Sequence, residues 1–154
     1  MDHKARLEQF FAANPAMTPR ILSGVLIGWE PIVVDALEQL KKLSAATGVE
    51  IRVAQIKEKF GGLRLYLDID EVSATGLEVV EPISKGATAE PTLRMQSGSA
   101  PGSVRERATA IVRAAEIAVS TVCEACGAPG RLRKLGSYFW TCCQACADKH
   151  MNRL

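Results

Sequence analysis

Five cysteines fall in the last third of this 154-residue chain, and four of them form two Cys-x2-Cys pairs: Cys123 with Cys126, and Cys143 with Cys146. Two such pairs separated by about 15–20 residues are a strong signature of a zinc site. Two thiolates two residues apart reach one ion from a tight turn, and Gly127 lets the backbone turn away after the second. Zinc accepts four sulfurs at roughly 2.3 Å in a tetrahedron, which leaves no open position. The chemistry expected is therefore structural, with one Zn2+ and no substrate on the metal. Cys142 is expected to pack in the interior, because Cys142-x3-Cys146 is the less usual spacing. His150 is the alternative fourth ligand in place of Cys146, and otherwise a surface residue. Disulfides do not suit an odd cysteine count in a chain with cytoplasmic character. A redox Cys-x-x-Cys needs a βαβ context that the sequence does not offer.

The elements that must position these sulfurs follow from pattern. Leu132 to Leu135, Gly136-Ser137 and Tyr138 to Trp140 read as a hairpin, and 144–152 as a short helix. Knuckle, hairpin and helix in that order are a treble-clef arrangement. Upstream, Ser103 to Glu106 has the form of a capping box. It opens a helix over 104–121 with Val104, Ala108, Ile111, Ala115 and Val122 on one face. A helix over 2–13 ends at Asn14-Pro15, and 14–29 reads as irregular. A helix over 31–46 starts at Pro31 and stops before Gly48.

Between these helices, Val49 to Phe60 and Leu63 to Asp70 predict a β-hairpin turning on Gly61-Gly62. That turn would set Ala54 opposite Ile69, Lys57 opposite Tyr66, Glu58 opposite Leu65 and Lys59 opposite Arg64. Residues 72–102 read as a variable loop with weak strands at 77–80 and 91–95. The fold class expected is α+β: a small antiparallel sheet with helices over 1–121, and a zinc module over 122–154 packed on it.

Charge and composition narrow the function. Hydrophobic residues make up 47% and aromatics 5%, so the core is aliphatic. The formal net charge of +2 does not by itself imply nucleic-acid binding. From Pro101 onward, however, eight Lys/Arg face four Asp/Glu, whereas 68–90 carries six acids and one base. No apolar run approaches the 20 or so residues of a membrane helix, and Asp2, Lys4, Arg6 and Glu8 occupy the place of a signal-peptide core. The chain reads as a cytoplasmic protein that does not enter membranes.

Candidate binding residues are Lys57, Lys59, Arg64 and Tyr66 on the wet face of the first hairpin, with Arg131, Arg133 and Lys134 on the second. Like charges opposite each other destabilise a sheet, so a cationic face serves solubility or an anionic partner. Glu58 falls on the apolar face and is expected to form a structural ion pair with Arg131 or Arg133. Trp29 and Trp140 read as core or module-interface residues. No catalytic residue is assigned: there is no Ser-His-Asp set, P-loop or dinucleotide fingerprint. His3 and His150 do not supply the histidines of an HNH nuclease, whose zinc knuckle this one resembles.

Three stretches carry a wider resemblance: Gln55-Ile56-Lys57-Glu58-Lys59-Phe60-Gly61-Gly62-Leu63-Arg64-Leu65-Tyr66; Ala115-Glu116 with Ser120; and Cys123-Glu124-x-Cys126-Gly127-x-Pro129-Gly130-x-Leu132-Arg133 with Thr141-x-Cys143. With Gly28-Trp29-Glu30-Pro31, they resemble a family of small proteins encoded by phages and prophage-like regions of bacteria, whose members often end in Cys-x-x-His or, as here, Cys-x-x-Cys. The resemblance implies a mobile-element setting and a zinc fold, and it implies no reaction. Two functions follow as expectations. The first is a non-enzymatic binder that inhibits a protein partner, in an immunity, antitoxin or anti-defence role. The second is nucleic-acid binding through the basic residues.

Overall fold

The computed structural model describes residues 5–71 and 102–152. The strands expected at 77–80 and 91–95 lie outside the described residues. Four helices and five strands follow in order: α1 (Ala5–Ala13), a 3-10 turn (Pro15–Met17), β1 (Ile21–Ser23), α2 (Glu30–Thr47), β2 (Ile51–Lys59), β3 (Gly62–Ile69), α3 (Val104–Val119), β4 (Arg131–Leu135), β5 (Tyr138–Cys142) and α4 (Gln144–Met151). The architecture is α+β.

Helix α2 carries Pro31 in its first turn and stops at Gly48, whose φ of 70° is the left-handed C-terminal cap. Helix α3 starts where Ser103 Oγ accepts from Glu106 N at 3.1 Å. Glu71 adds a second cap, its carboxylate accepting from Val104 N and Arg105 N. Together the apolar stripes of α2 and α3 cover one face of the sheet. Val33, Leu37 and Leu40 meet Ala108, Ala115 and Val119 there, over Ile56, Leu63 and Leu65.

The sheet departs from expectation in two ways. It is mixed, with order β1-β2-β3: β1 forms inside the stretch read as irregular and pairs parallel to β2. Three residues with exposed side chains leave too little pattern to announce a strand. Second, the hairpin turns on Phe60-Gly61, not Gly61-Gly62. Phe60 and Gly61 have φ of 54° and 74°, the left-handed pair of a type I′ turn. The register therefore slides by two residues. Lys57 opposes Arg64, Glu58 opposes Leu63, and Lys59 opposes Gly62. A slide of two preserves which residues face the core.

Further along, a bulge at Ala54 resets the phase of β2, so that Ile51 and not Ala54 pairs with Ile69. The reason is visible in burial. Ile51 and Val53 are odd-numbered and Ile56 is even, yet all three are buried. A regular strand cannot bury both parities on one face, and one extra residue reconciles them.

Candidate metal centre and its junction with the core

Cys123 and Cys126 sit on a knuckle closed by Gly127 N donating to Cys123 O (2.8 Å) and Cys123 N donating to Ala128 O (2.7 Å). Cys143 is the N-terminal cap of α4, and its sulfur accepts from Cys146 N at 3.4 Å. Hairpin β4–β5 turns at Gly136-Ser137 and returns the chain from the knuckle to α4. The knuckle–hairpin–helix order is the one expected.

The four sulfurs of Cys123, Cys126, Cys143 and Cys146 all lie within 4.8 Å of one another, and Cys126 and Cys143 are 3.7 Å apart. Sulfurs at 2.3 Å from a tetrahedral ion stand about 3.8 Å from each other. The cluster is thus sized for one metal ion. Its electrostatics agree. Burial opposes a charge on Cys123, yet the backbone amides of Cys143, Cys126 and Ala125 outweigh it and bring that thiol down to about 7. Burial and the neighbouring thiols push Cys146 the other way. One thiolate is supported locally; four need a cation among them. Cys142 is fully buried, its thiol raised by burial, and it stands outside the cluster. His150 is likewise outside it: exposed, with its ring 5.5 Å from Trp140 in an edge-on contact.

The metal module is tied to the helices and sheet by specific bonds. Gly28 N donates to Glu124 O (2.8 Å) and Trp29 Nε1 donates to Val122 O (2.8 Å). Trp29 is completely buried. A Cβ on Gly28 would lie under 3.0 Å from Cys123 O, Gly127 N and Glu124 O, so only glycine lets the start of α2 lie against the knuckle. On the other side, the buried Thr141 hydroxyl donates to Gly61 O at 2.6 Å. A Cβ on Gly61 would run into Leu132 Cδ1. The tip of the first hairpin is therefore seated on the second.

This seating decides where the candidate binding residues go. Phe60 and Phe139 meet edge to face at 6.5 Å. Lys59 Nζ lies 5.3 Å from the Phe60 ring, Lys134 Nζ 5.8 Å from Phe139, and Lys57 Nζ 5.4 Å from Tyr66. Lys59 and Lys134 thus flank the aromatic seam that Phe60 and Phe139 form between the two hairpins, while Lys57, Arg64 and Tyr66 lie farther along the first hairpin, away from its turn. Arg131 and Arg133 alternate with Lys134 along β4 and belong to its other face. Arg133 Nε is engaged with Cys142 O at 3.1 Å, while Arg131 is exposed.

Glu58 makes a different bond from the one expected. Its Oε1 accepts from Gly61 N at 2.6 Å, bracing the turn. Among the described residues the ion pairs are those of Arg52 with Glu50 and Asp70. The acid that the sequence reading passed over is Glu124. It is only 5% exposed, and its Oε2 has no hydrogen-bond partner. Burial, then the Glu58 carboxylate and the Cys123 thiol, push its carboxyl up to about 8. Its place in Cys-Glu-x-Cys was the available signal, since an acid fixed between two ligand cysteines is drawn inward with them.

Comparison with known proteins yields no matching family model, no matching curated protein and no matching solved structure. Among the described residues no helix is long and apolar enough to cross a membrane.

Proposed function

We propose that this chain is a binding protein rather than an enzyme, in which one structural zinc holds a basic, aromatic seam ready for single-stranded nucleic acid. Zinc is the ion that a tetrahedral four-thiolate shell suits best, alongside iron–sulfur chemistry, and such a shell leaves no position for substrate.

The observation that carries the reading is Phe60. It is 69% exposed and sits in a left-handed conformation that costs a bulky residue about 1–2 kcal/mol, where asparagine or glycine would be at ease. Strain of this kind marks residues kept for what they touch. Phe60 presents an open ring beside Phe139, with lysines on either side. Rings that accept stacked bases, interleaved with cations that meet phosphates, are the working parts of single-strand binders.

The test is fluorescence anisotropy with a labelled oligothymidine at two salt concentrations. Binding should fall with salt by about 0.7 log units per log unit for each phosphate contacted. Lys134→Glu and Phe60→Ala should each weaken it. Absence of binding at low salt would overturn the reading.

A second reading is a protein partner, inhibited in an immunity, antitoxin or anti-defence role of a mobile element. Edge strand β1 supports it, because Ile21 and Leu22 are both 44% exposed there. A stoichiometric partner whose recovery is lost with Leu22→Lys would favour this reading over the first.

A further inference from the structure

Helices α2 and α3 cover one face of the β1–β2–β3 sheet. On the other face Arg64, Tyr66 and Asp68 of β3 are exposed, alternating with the buried Leu63 and Leu65. Register sorts that face into rows that cross the strands. Ser23, Lys57 and Arg64 stand side by side on β1, β2 and β3, and Ile21, Gln55 and Tyr66 form the next row. We infer that a single strand of nucleic acid held at the Phe60–Phe139 seam continues onto this face, with a phosphate on the row of Ser23, Lys57 and Arg64 and a base against Tyr66. The inference rests on the single-strand reading and adds to it the path of the strand and the point where its track ends.

Charge is the first support. Lys57 lies directly opposite Arg64, and like charges so placed destabilise a sheet. Among the described residues neither has a carboxylate within ion-pair distance, the ion pairs being those of Arg52. Lys57 Nζ donates instead to the neutral Gln55 Oε1 at 3.2 Å, and Arg64 Nη1 to Leu63 O at 3.0 Å. An ammonium and a guanidinium on adjacent strands can share the oxygens of one phosphate through charge-assisted bonds, and Ser23 brings a hydroxyl donor to the same row. A phosphate there cancels the repulsion that the free sheet carries.

Continuity with the seam comes through Lys59. It occupies the same face of β2 as Lys57, two residues nearer the turn, and its Nζ lies 5.3 Å from the Phe60 ring. From Gly62 beside the turn to Tyr66 the strand rises about 14 Å. Tyr66 is 48% exposed, and base stacking on an aromatic ring tolerates any sequence. Beyond Tyr66 the sign of the charge reverses. Arg52 is bound to Glu50 and Asp70, and its register partner is the exposed Asp68. Those acids repel phosphate and close the track at that end.

The experiment is fluorescence anisotropy of the full-length, zinc-loaded chain with a labelled oligothymidine across a salt series. The double variant Lys57→Gln with Arg64→Gln should lower the slope of log affinity against log salt by about 0.7, the loss of one phosphate contact. Tyr66→Ala should weaken binding about fivefold or more and leave the slope unchanged. Arg52→Gln, which removes a cation of the same face beyond the track, should change neither.

A wild-type slope in the double variant, or wild-type affinity in Tyr66→Ala, would overturn the inference. If Phe60→Ala still weakens binding in that case, the seam reading stands without it. A slope lowered as much by Arg52→Gln would also overturn it, because binding would then report net charge and not a track. Absence of binding by the wild-type chain at low salt removes the seam reading and this inference together.

Discussion

Gly28→Ala is the sharpest perturbation of the seating between α2 and the knuckle. The new methyl group meets three backbone atoms, Cys123 O, Gly127 N and Glu124 O, none of which can rotate away. Relief requires the two segments to separate. Overpacking of this kind costs typically 1–3 kcal/mol. Separation also forfeits the bonds from Gly28 N to Glu124 O and from Trp29 Nε1 to Val122 O, at about 0.5–1.5 kcal/mol each. The sum is a loss of about 2–6 kcal/mol, from a total stability of roughly 5–15 kcal/mol. For a chain of this size that lowers Tm by roughly 4–24 °C. Urea denaturation followed by tryptophan fluorescence measures it directly, because Trp29 lies at the contact. Gly48→Ala is the control. Its Cβ would meet nothing within 4 Å, so its cost is only the left-handed conformation, about 1 kcal/mol. A loss in Gly28→Ala no larger than in Gly48→Ala would refute the seating. A second check is coupling. If the knuckle is held jointly by metal and by Gly28-Trp29, then metal removal and Gly28→Ala must destabilise non-additively.

Metal content separates the adjacent cysteines: Cys143→Ser should lose the ion and Cys142→Ser should keep one equivalent, as measured by atomic emission. Acidification should release the ion, because protons compete for the same thiolates, and a chelator should abolish amide protection in β4 and β5 before it does so in α2. Thr141→Val keeps the shape but leaves Gly61 O without its buried donor, and should cost about 1–3 kcal/mol in urea denaturation. Phe60→Asn should change stability by less than about 1 kcal/mol, since relief of the left-handed strain offsets the lost ring contact, whereas truncating a buried phenylalanine costs roughly 3–5 kcal/mol. The same variant should weaken oligonucleotide binding. Unchanged binding with a large stability loss would make Phe60 a packing residue.

What could be read from the sequence was what depends on spacing alone. Cys-x2-Cys pairs impose their geometry through covalent reach, so the four-cysteine cluster was legible without knowledge of the rest. Helix α3 announced itself through Ser103 and Glu106, which act within one turn. The hairpin turn was read one residue late because Gly-Gly satisfies a type I′ turn on local grounds better than Phe-Gly does. Gly61 belongs to the turn in either arrangement; what the folded chain adds is tertiary, since Gly61 lies against Leu132 and gives its carbonyl to Thr141. A side chain is excluded at Gly61 by a neighbour some 70–80 residues away, and no local rule contains that neighbour. The bulge in β2 was nearer to hand, since Ile51, Val53 and Ile56 cannot share a face in a regular strand.

The same reasoning explains why Gly28, Trp29, Gly61 and Thr141 appear together. Each lies where one unit touches the other, and each is small or forms a single directed bond. Removing the ion would free the knuckle, yet the knuckle would still be held at Gly28 and Trp29. Removing those would leave the ion in place on a module with one support fewer. The seam around Phe60 depends on both, because Phe60 belongs to the first hairpin and Phe139 to the second. Any ligand that bridges the two rings must therefore favour the docked arrangement and raise the stability of the metal centre with it.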